Sequence, residues 1–407
     1  MKKWFVWPVL LAGVLCACGA QPTGQSAVTL PMNTERPVVA DLPADEAGPT
    51  PEPTPAAETT LTAADMTLEE KVGQLFIIRP DSLDLTLPQE QIDDAKADGV
   101  TELTDAMRDA LQKYPVGGVC QFGKNIVDPE QITAFNAALQ EASDIPLFIS
   151  VDEEGGAVAR LANKDTFDLP RYESAAAVGA EGVDAACAMG QTIGGYLRTY
   201  GFNMDFAPDA DVNTNPDNPI IGTRAFSSDA AEAADCAAAM ARGLAGEEIL
   251  PTFKHFPGHG DTAEDSHTGL AYSYRTVEEL TACELLPFEA AAEVGPHAVM
   301  VGHIVVPELT GDLPATLCAD AIALVPDAEN TLIVTDSLAM GAITDSYTPG
   351  EAAVQALQAG CDVLLMPDGL ADAYDAVLAA VQNGTLSEDR LDLSVNKILR
   401  MKAQFCA

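Results

Sequence analysis

Basic side chains are scarce in this chain. Only 21 Lys and Arg stand against 62 Asp and Glu in 407 residues, a formal net charge of −41. No basic stripe is available to follow a phosphate backbone, which excludes nucleic acid and anionic polymers as bulk partners. Solubility accounts for the acidity. Cysteine is present but unpatterned: beyond Cys16 and Cys18, the other seven (Cys120, Cys187, Cys236, Cys283, Cys318, Cys361 and Cys406) form no C-x-x-C pair. Their scatter removes a zinc ribbon or a disulfide framework. They read as small buried hydrophobes, at least one a free thiol because their number is odd.

A membrane-spanning run is also missing, since the apolar stretch Trp4 to Leu15 falls short of the ~20 residues that a spanning helix needs. Preceded by Lys2 and Lys3, it has the charged and apolar regions of an export signal. It ends Leu15-Cys16-Ala17-Cys18-Gly19, which resembles the lipobox of bacterial lipoproteins, with Cys18 in the acylated position. Residues 1–17 are therefore expected to be a lipoprotein signal peptide and Cys18 the lipidation site. The resulting chain is exported and lipid-anchored to the bacterial cell membrane outside the cytoplasm. An ordinary secretory peptide or an uncleaved anchor is the alternative. Residues 18–60, typified by Pro51-Glu52-Pro53-Thr54-Pro55, carry Pro, Thr and acidic residues without an apolar period and read as a disordered tether.

The globular part, residues 61–407, opens with a capping-box pattern at Thr67-Leu68-Glu69-Glu70, followed by Val72, Leu75 and Phe76 at helical spacing. Eight short apolar, β-rich runs come next: Leu75 to Ile78, Val116 to Phe122, Pro146 to Val151, Phe202 to Ala207, Ile249 to Phe253, Ala298 to Val306, Leu332 to Thr335 and Val363 to Met366. Between most of them lie Ala-, Glu- and Leu-rich stretches such as 128–142, 174–200, 229–248, 276–294 and 350–359, with a last helix over 387–404. This alternation predicts an α/β fold with a parallel sheet. The count suits a single closed (β/α)8 TIM-type barrel, typically about 250 residues or more. Asp152, Asp209 and Asp211, Lys254 and His255, His303, and Asp336 each follow one of the runs. In a barrel those carboxyl ends share the face where active sites form.

Histidine is confined as well: all five fall between His255 and His303, and three lie in one segment, Lys254-His255-Phe256-Pro257-Gly258-His259-Gly260 through Asp265-Ser266-His267. Proton transfer near neutrality is expected there. A metal set of His255, His259, Asp265 and His267 is one reading, but Pro257, Gly258 and Gly260 disfavour the helix that would align His-x-x-x-His. The competing reading makes His267 a proton donor on a glycine-flanked loop, with Asp265 accepting its other ring N–H. His259 is read as a loop brace, His297 and His303 as structural, and Asp209, Asp211 and Asn213 as ordering the fourth loop.

The segment Lys254 to Gly260 with Asp265-Ser266-His267 resembles the signature of glycoside hydrolase family 3 β-N-acetylhexosaminidases. Four further segments agree in order: Met66 to Leu75, Val116 to Val119 with Phe122 to Ile126, Val151 to Gly156 through Arg160, and Thr335 to Met340. The resemblance implies Asp336 as nucleophile, His267 as acid/base and Asp265 as its partner. It implies sugar binding by Asp152, Arg160, Arg224, Lys254 and His255. A scaffold ion pair is the other role open to Arg160 and Arg224. The implied activity is retaining removal of terminal GlcNAc from peptidoglycan fragments or chitin-like oligosaccharides, with no metal or organic cofactor. The expectation that no second carbohydrate domain follows the barrel favours acetamido sugars. One departure is Ala271 after Leu270, where the family often has proline. A phosphorylase, a substrate-assisted hydrolase, a metal-dependent hydrolase and a non-catalytic sugar-binding lipoprotein are the alternatives.

Overall fold

The computed structural model describes residues 61–263 and 269–406. Residues 1–60, expected to be a signal peptide, the lipidation site Cys18 and a tether, lie outside the described residues, as do Asp265 and His267. Eight strands build one parallel sheet: β1 (Phe76–Ile78), β2 (Gly118–Cys120), β3 (Phe148–Val151), β4 (Met204–Asp205), β5 (Leu250–Phe256), β6 (Ala298–Val301), β7 (Leu332–Thr335) and β8 (Leu364–Leu365). Each is hydrogen-bonded to its sequence neighbour up to β7. β8 pairs with β1 at Phe76–Leu364 and Ile77–Leu365, and a bridge from Val334 to Val363 links β7 to the start of β8. The sheet is a (β/α)8 barrel, as expected from the runs. Every barrel strand is buried along its length, because helices cover the outside and side chains fill the inside. That is why the strands read as unbroken apolar runs.

Local chemistry sets the helices between them. Thr67 Oγ1 accepts from Glu70 N (3.2 Å) and Glu70 Oε2 accepts from Thr67 N (2.7 Å), closing the capping box of the opening helix Leu68–Gln74. Phe76, placed on that helix by spacing, instead begins β1, where pairing with β8 outweighs the helical period. The stretch 174–200 is two helices, Ala175–Glu181 and Val183–Thr199, because Gly182 adopts φ 98° between them. The stretch 276–294 also splits, into Val277–Ala282 and Leu286–Ala291, with Pro287 in the first turn of the second. The helices Asp105–Lys113 and Leu370–Gln382 complete the alternation.

The amino-terminal end of the barrel is closed by the opening helix and the last helix, Glu388–Phe405. Lys71 bridges to Glu388 (3.0 Å) and Asp392 (2.7 Å). Lys402 is buried there, its Nζ donating to Gln74 Oε1 (2.5 Å) and lying 5.3 Å from the centre of the Phe148 ring.

Candidate active site

Strand geometry delivers the charged groups to the opposite end. Asp152 follows β3, and Glu154 points to the same side because successive residues of an extended chain alternate. Between them Glu153 turns inward and accepts from Leu161 N (2.8 Å), Ala162 N (2.9 Å) and Tyr196 Oη (2.9 Å). These bonds fix the hairpin of Glu153–Gly155 with Val158–Ala159, which carries Arg160. Lys254 and His255 lie within β5, where the pairing with β6 shifts register between Lys254 and Phe256. Such an irregularity re-aims side chains.

An ion network results. Lys254 Nζ lies 2.8 Å from Asp152 Oδ1 and 2.7 Å from Glu154 Oε1. Arg224 binds Glu154 through two bonds, Nε to Oε2 at 2.8 Å and NH2 to Oε1 at 2.7 Å, and reaches Asp209 Oδ2 at 3.4 Å. Arg160 NH2 lies 3.3 Å from Asp152 Oδ2. His255 Nδ1 meets Asp211 Oδ2 at 2.8 Å, and His259 N donates to Asp211 Oδ1 at 2.6 Å.

Burial alone would raise the carboxylic acids. At Asp152 the charges of Lys254 and Arg160 outweigh it and hold the group well below the usual range, and at Glu154 those of Arg224 and Lys254 bring it down to about 2. Lys254 is buried, which opposes its charge, yet Asp152 and Glu154 hold it above its ordinary value. His255 is likewise raised, against burial, by Asp211. Asp209 moves the other way: burial and the neighbouring Asp211 raise it. Asp209, Asp211 and His255 bring three potential metal-ligand atoms within 4.8 Å of one another. The carboxylates of that trio already face Arg224 and His255.

Asp336 follows β7, its N–H bonded to Val301 O (2.9 Å) and its Oδ1 accepting from Ser337 N (2.7 Å). His303, fully buried, holds the same turn: Nε2 is 2.8 Å from Ser337 O and Nδ1 2.8 Å from Thr316 Oγ1. His297 sits beside Gly295 O (2.7 Å) at the far end of β6.

Asp152, Arg160, Arg224, Lys254, His255 and Asp336 line one cavity of about 220 Å³, together with Glu154, Arg79, Phe122 and His259. Its lining is rich in paired charges, which suits a small polar ligand. Six of the eight residues singled out for chemistry are thus brought together, and the other two, Asp265 and His267, lie outside the described residues. Glu154 and Arg79 were not singled out. The i, i+2 spacing of Asp152 and Glu154 was the available signal for the first, and the position directly after β1 for the second.

A parallel barrel with a cavity of paired charges at its carboxyl end is placed as the active sites of barrel enzymes are. Residues 67–401 match the model described as "Glycosyl hydrolase family 3 N terminal domain". The chain belongs to glycoside hydrolase family 3. It is 31% identical over 403 residues to the beta-hexosaminidase LpqI of Mycobacterium tuberculosis, covering 96% of this chain and 94% of that one. It is also 31% identical over 335 residues to beta-hexosaminidase A of Pseudoalteromonas piscicida, covering 75% of this chain and spanning only 56% of that relative. Among solved structures, the family 3 beta-N-acetylglucosaminidase of a Paenibacillus species superposes with a TM-score of 0.75 at 37% identity, covering 83% of this chain and 62% of that one.

Proposed function

We propose that the chain is a retaining exo-β-N-acetylglucosaminidase that removes terminal GlcNAc from peptidoglycan fragments or chitooligosaccharides. The observation that carries the reading is that Asp336 lines the same cavity as Asp152, Arg160, Arg224, Lys254 and His255. Carboxylates there accept from sugar hydroxyls, and Arg and Lys donate to hydroxyl or acetamido oxygens. The names of the relatives supply the acetamido sugar.

In this mechanism His267, oriented by Asp265, gives its proton to the glycosidic oxygen while Asp336 attacks the anomeric carbon. The aglycone leaves as an alcohol and a glycosyl ester forms. His267 then takes a proton from water as the water attacks the anomeric carbon, and the bond from that carbon to the Asp336 oxygen breaks, releasing the sugar and the carboxylate. A neutral base avoids a second negative charge near Asp336. The reaction calls for no metal or organic cofactor. Export and lipidation at Cys18 complete the proposal and place the barrel outside the cytoplasm. Cys18→Ser should abolish palmitate labelling, and continued labelling would overturn Cys18 as the lipidated residue.

Proton NMR of a terminal β-GlcNAc disaccharide during turnover tests the chemistry. The β-anomer of free GlcNAc should appear first, with or without phosphate. GlcNAc 1-phosphate as product would establish a phosphorylase instead. Binding without any product would establish a sugar-binding protein.

A further inference from the structure

The connection that follows β4 supplies two residues of the cavity lining, Ile220 and Arg224, while β5 and the turn after it supply His255 and His259. One buried amide joins the two. Asn218 Oδ1 accepts from Ile220 N and from Ile221 N, both at 2.8 Å. Its Nδ2 donates across to the β5 turn, to His259 O at 2.8 Å and to Thr262 Oγ1 at 3.4 Å. Asn218 is only 7% exposed and does not itself line the cavity. A buried amide satisfied on both sides fixes the geometry of what it joins, and losing it leaves several buried partners unmet.

The residues that Asn218 grips on its own connection are the ones that brace Arg224. Arg224 NH1 donates to Ile220 O at 3.3 Å, and Arg224 N donates to Ile221 O at 2.9 Å. Gly222, between them, takes a φ of 46°, a bend that favours glycine and folds Arg224 back over Ile220. From there the guanidinium makes its paired bonds to Glu154, so a short relay runs from the amide to a buried ion pair of the cavity. On the far side, Thr262 Oγ1 lies 2.6 Å from His259 Nδ1, so the same amide also touches the hydroxyl that holds that ring. Asn215 repeats the tie, its N donating to Gly260 O (3.1 Å) and its Nδ2 to Thr262 O (3.0 Å). The approach is close: a Cβ at Gly260 would run into the Val212 carbonyl.

We propose that Asn218 is a positioning residue for sugar binding, a role that rests on the reading of this cavity as the terminal-sugar site. It sets Ile220 and Arg224, from one βα connection, in register with His255 and His259, from the next. A ligand that touches both sets makes full contact only where they are already in register, so its apparent affinity falls with the fraction of molecules in which they are. That loss falls on binding. Once the site is saturated, turnover proceeds at its usual rate.

Competition by free GlcNAc against an aryl GlcNAc substrate, with kcat and KM taken from the same assays, tests the assignment. Asn218→Ala should raise the inhibition constant of GlcNAc and KM about 10-fold, while kcat stays within about 2-fold of wild type. Arg224→Lys should weaken GlcNAc as well. Adding Asn218→Ala to it should then cost much less than in wild type, because the amide acts through Arg224. Asn218→Asp, equal in volume, turns the donor to His259 O into a second acceptor; it should show the same split between KM and kcat, and it stands in if the alanine variant does not fold. An amide that only braces the fold would lower the melting temperature and leave the inhibition constant unchanged, which would overturn the proposal. Losses that add fully in the double variant, or a fall in kcat at unchanged KM, would overturn it too. A wild type that neither binds GlcNAc nor cleaves its glycosides overturns the terminal-sugar reading and this role with it, whereas GlcNAc binding that ignores both Asn218 variants sinks the role alone.

Discussion

Glu154 is where the charges of the pocket are balanced, because among the described residues it alone accepts from both Arg224, part-buried beyond β4, and Lys254, buried within β5. Removing its charge leaves those cations with too little counter-charge, and breaking a buried pair in this way costs about 3–5 kcal/mol. Glu154→Gln should therefore lower stability in urea unfolding by an amount of that order and weaken sugar binding as the cations relax. The pH dependence has a definite sign. The folded value of Glu154 is lowered to about 2 from an ordinary 4.5, so its contribution is fully present above the ordinary value and is lost as pH falls through the folded one. The stability gap between wild type and variant should be constant near neutrality and shrink between about pH 4.5 and pH 2. A gap unchanged across that window would contradict the pairing. Sequence disclosed Asp152, Lys254 and His255 as candidates because each directly follows or ends an apolar run. It did not disclose that Arg224 would meet Glu154, since the two are 70 residues apart and only the closed sheet brings them together.

At the scale of single elements, apolar runs located every barrel strand, and the helix boundaries were missed where one glycine or proline intervened. Gly182 divides one expected helix and Pro287 begins the second half of another, both changes of backbone conformation that an apolar count over a window averages away. The last helix carries a testable oddity. Lys402 lies in the closed end of the barrel with Gln74 and the Phe148 ring for company, and burial pulls it down to about 7. For a base, a lowered folded value means a penalty that is complete below that value and disappears as pH rises to the unfolded value of 10.5. Lys402→Met, similar in volume, should raise the melting temperature at pH 6 and lose that advantage toward pH 10. An advantage that does not vary with pH would show that the ammonium is accommodated without cost.

The whole molecule was legible because a barrel strand buried on both faces has no polar phase to hide it, and because the carboxyl-end rule converts strand ends into a list of candidates. Eight apolar runs became eight parallel strands, and six of the eight candidates share one cavity. What stayed hidden was pairing: Glu154 as common acceptor and Asp211 behind His255. Each depends on residues far apart in sequence meeting at one end of the barrel, and no local pattern encodes such a meeting. The same closure brings Asp336, which follows β7, into the lining of the cavity that Lys254 and His255 of β5 also line. The most direct measurement is mass spectrometry of the protein after incubation with a slowly hydrolysed fluorinated GlcNAc glycoside, followed by peptide mapping. The protein should gain the mass of one glycosyl unit, located on the peptide containing Asp336, and Asp336→Ala should gain none. Turnover with no adduct, or an adduct on any other peptide, would contradict the assignment of Asp336 as the nucleophile.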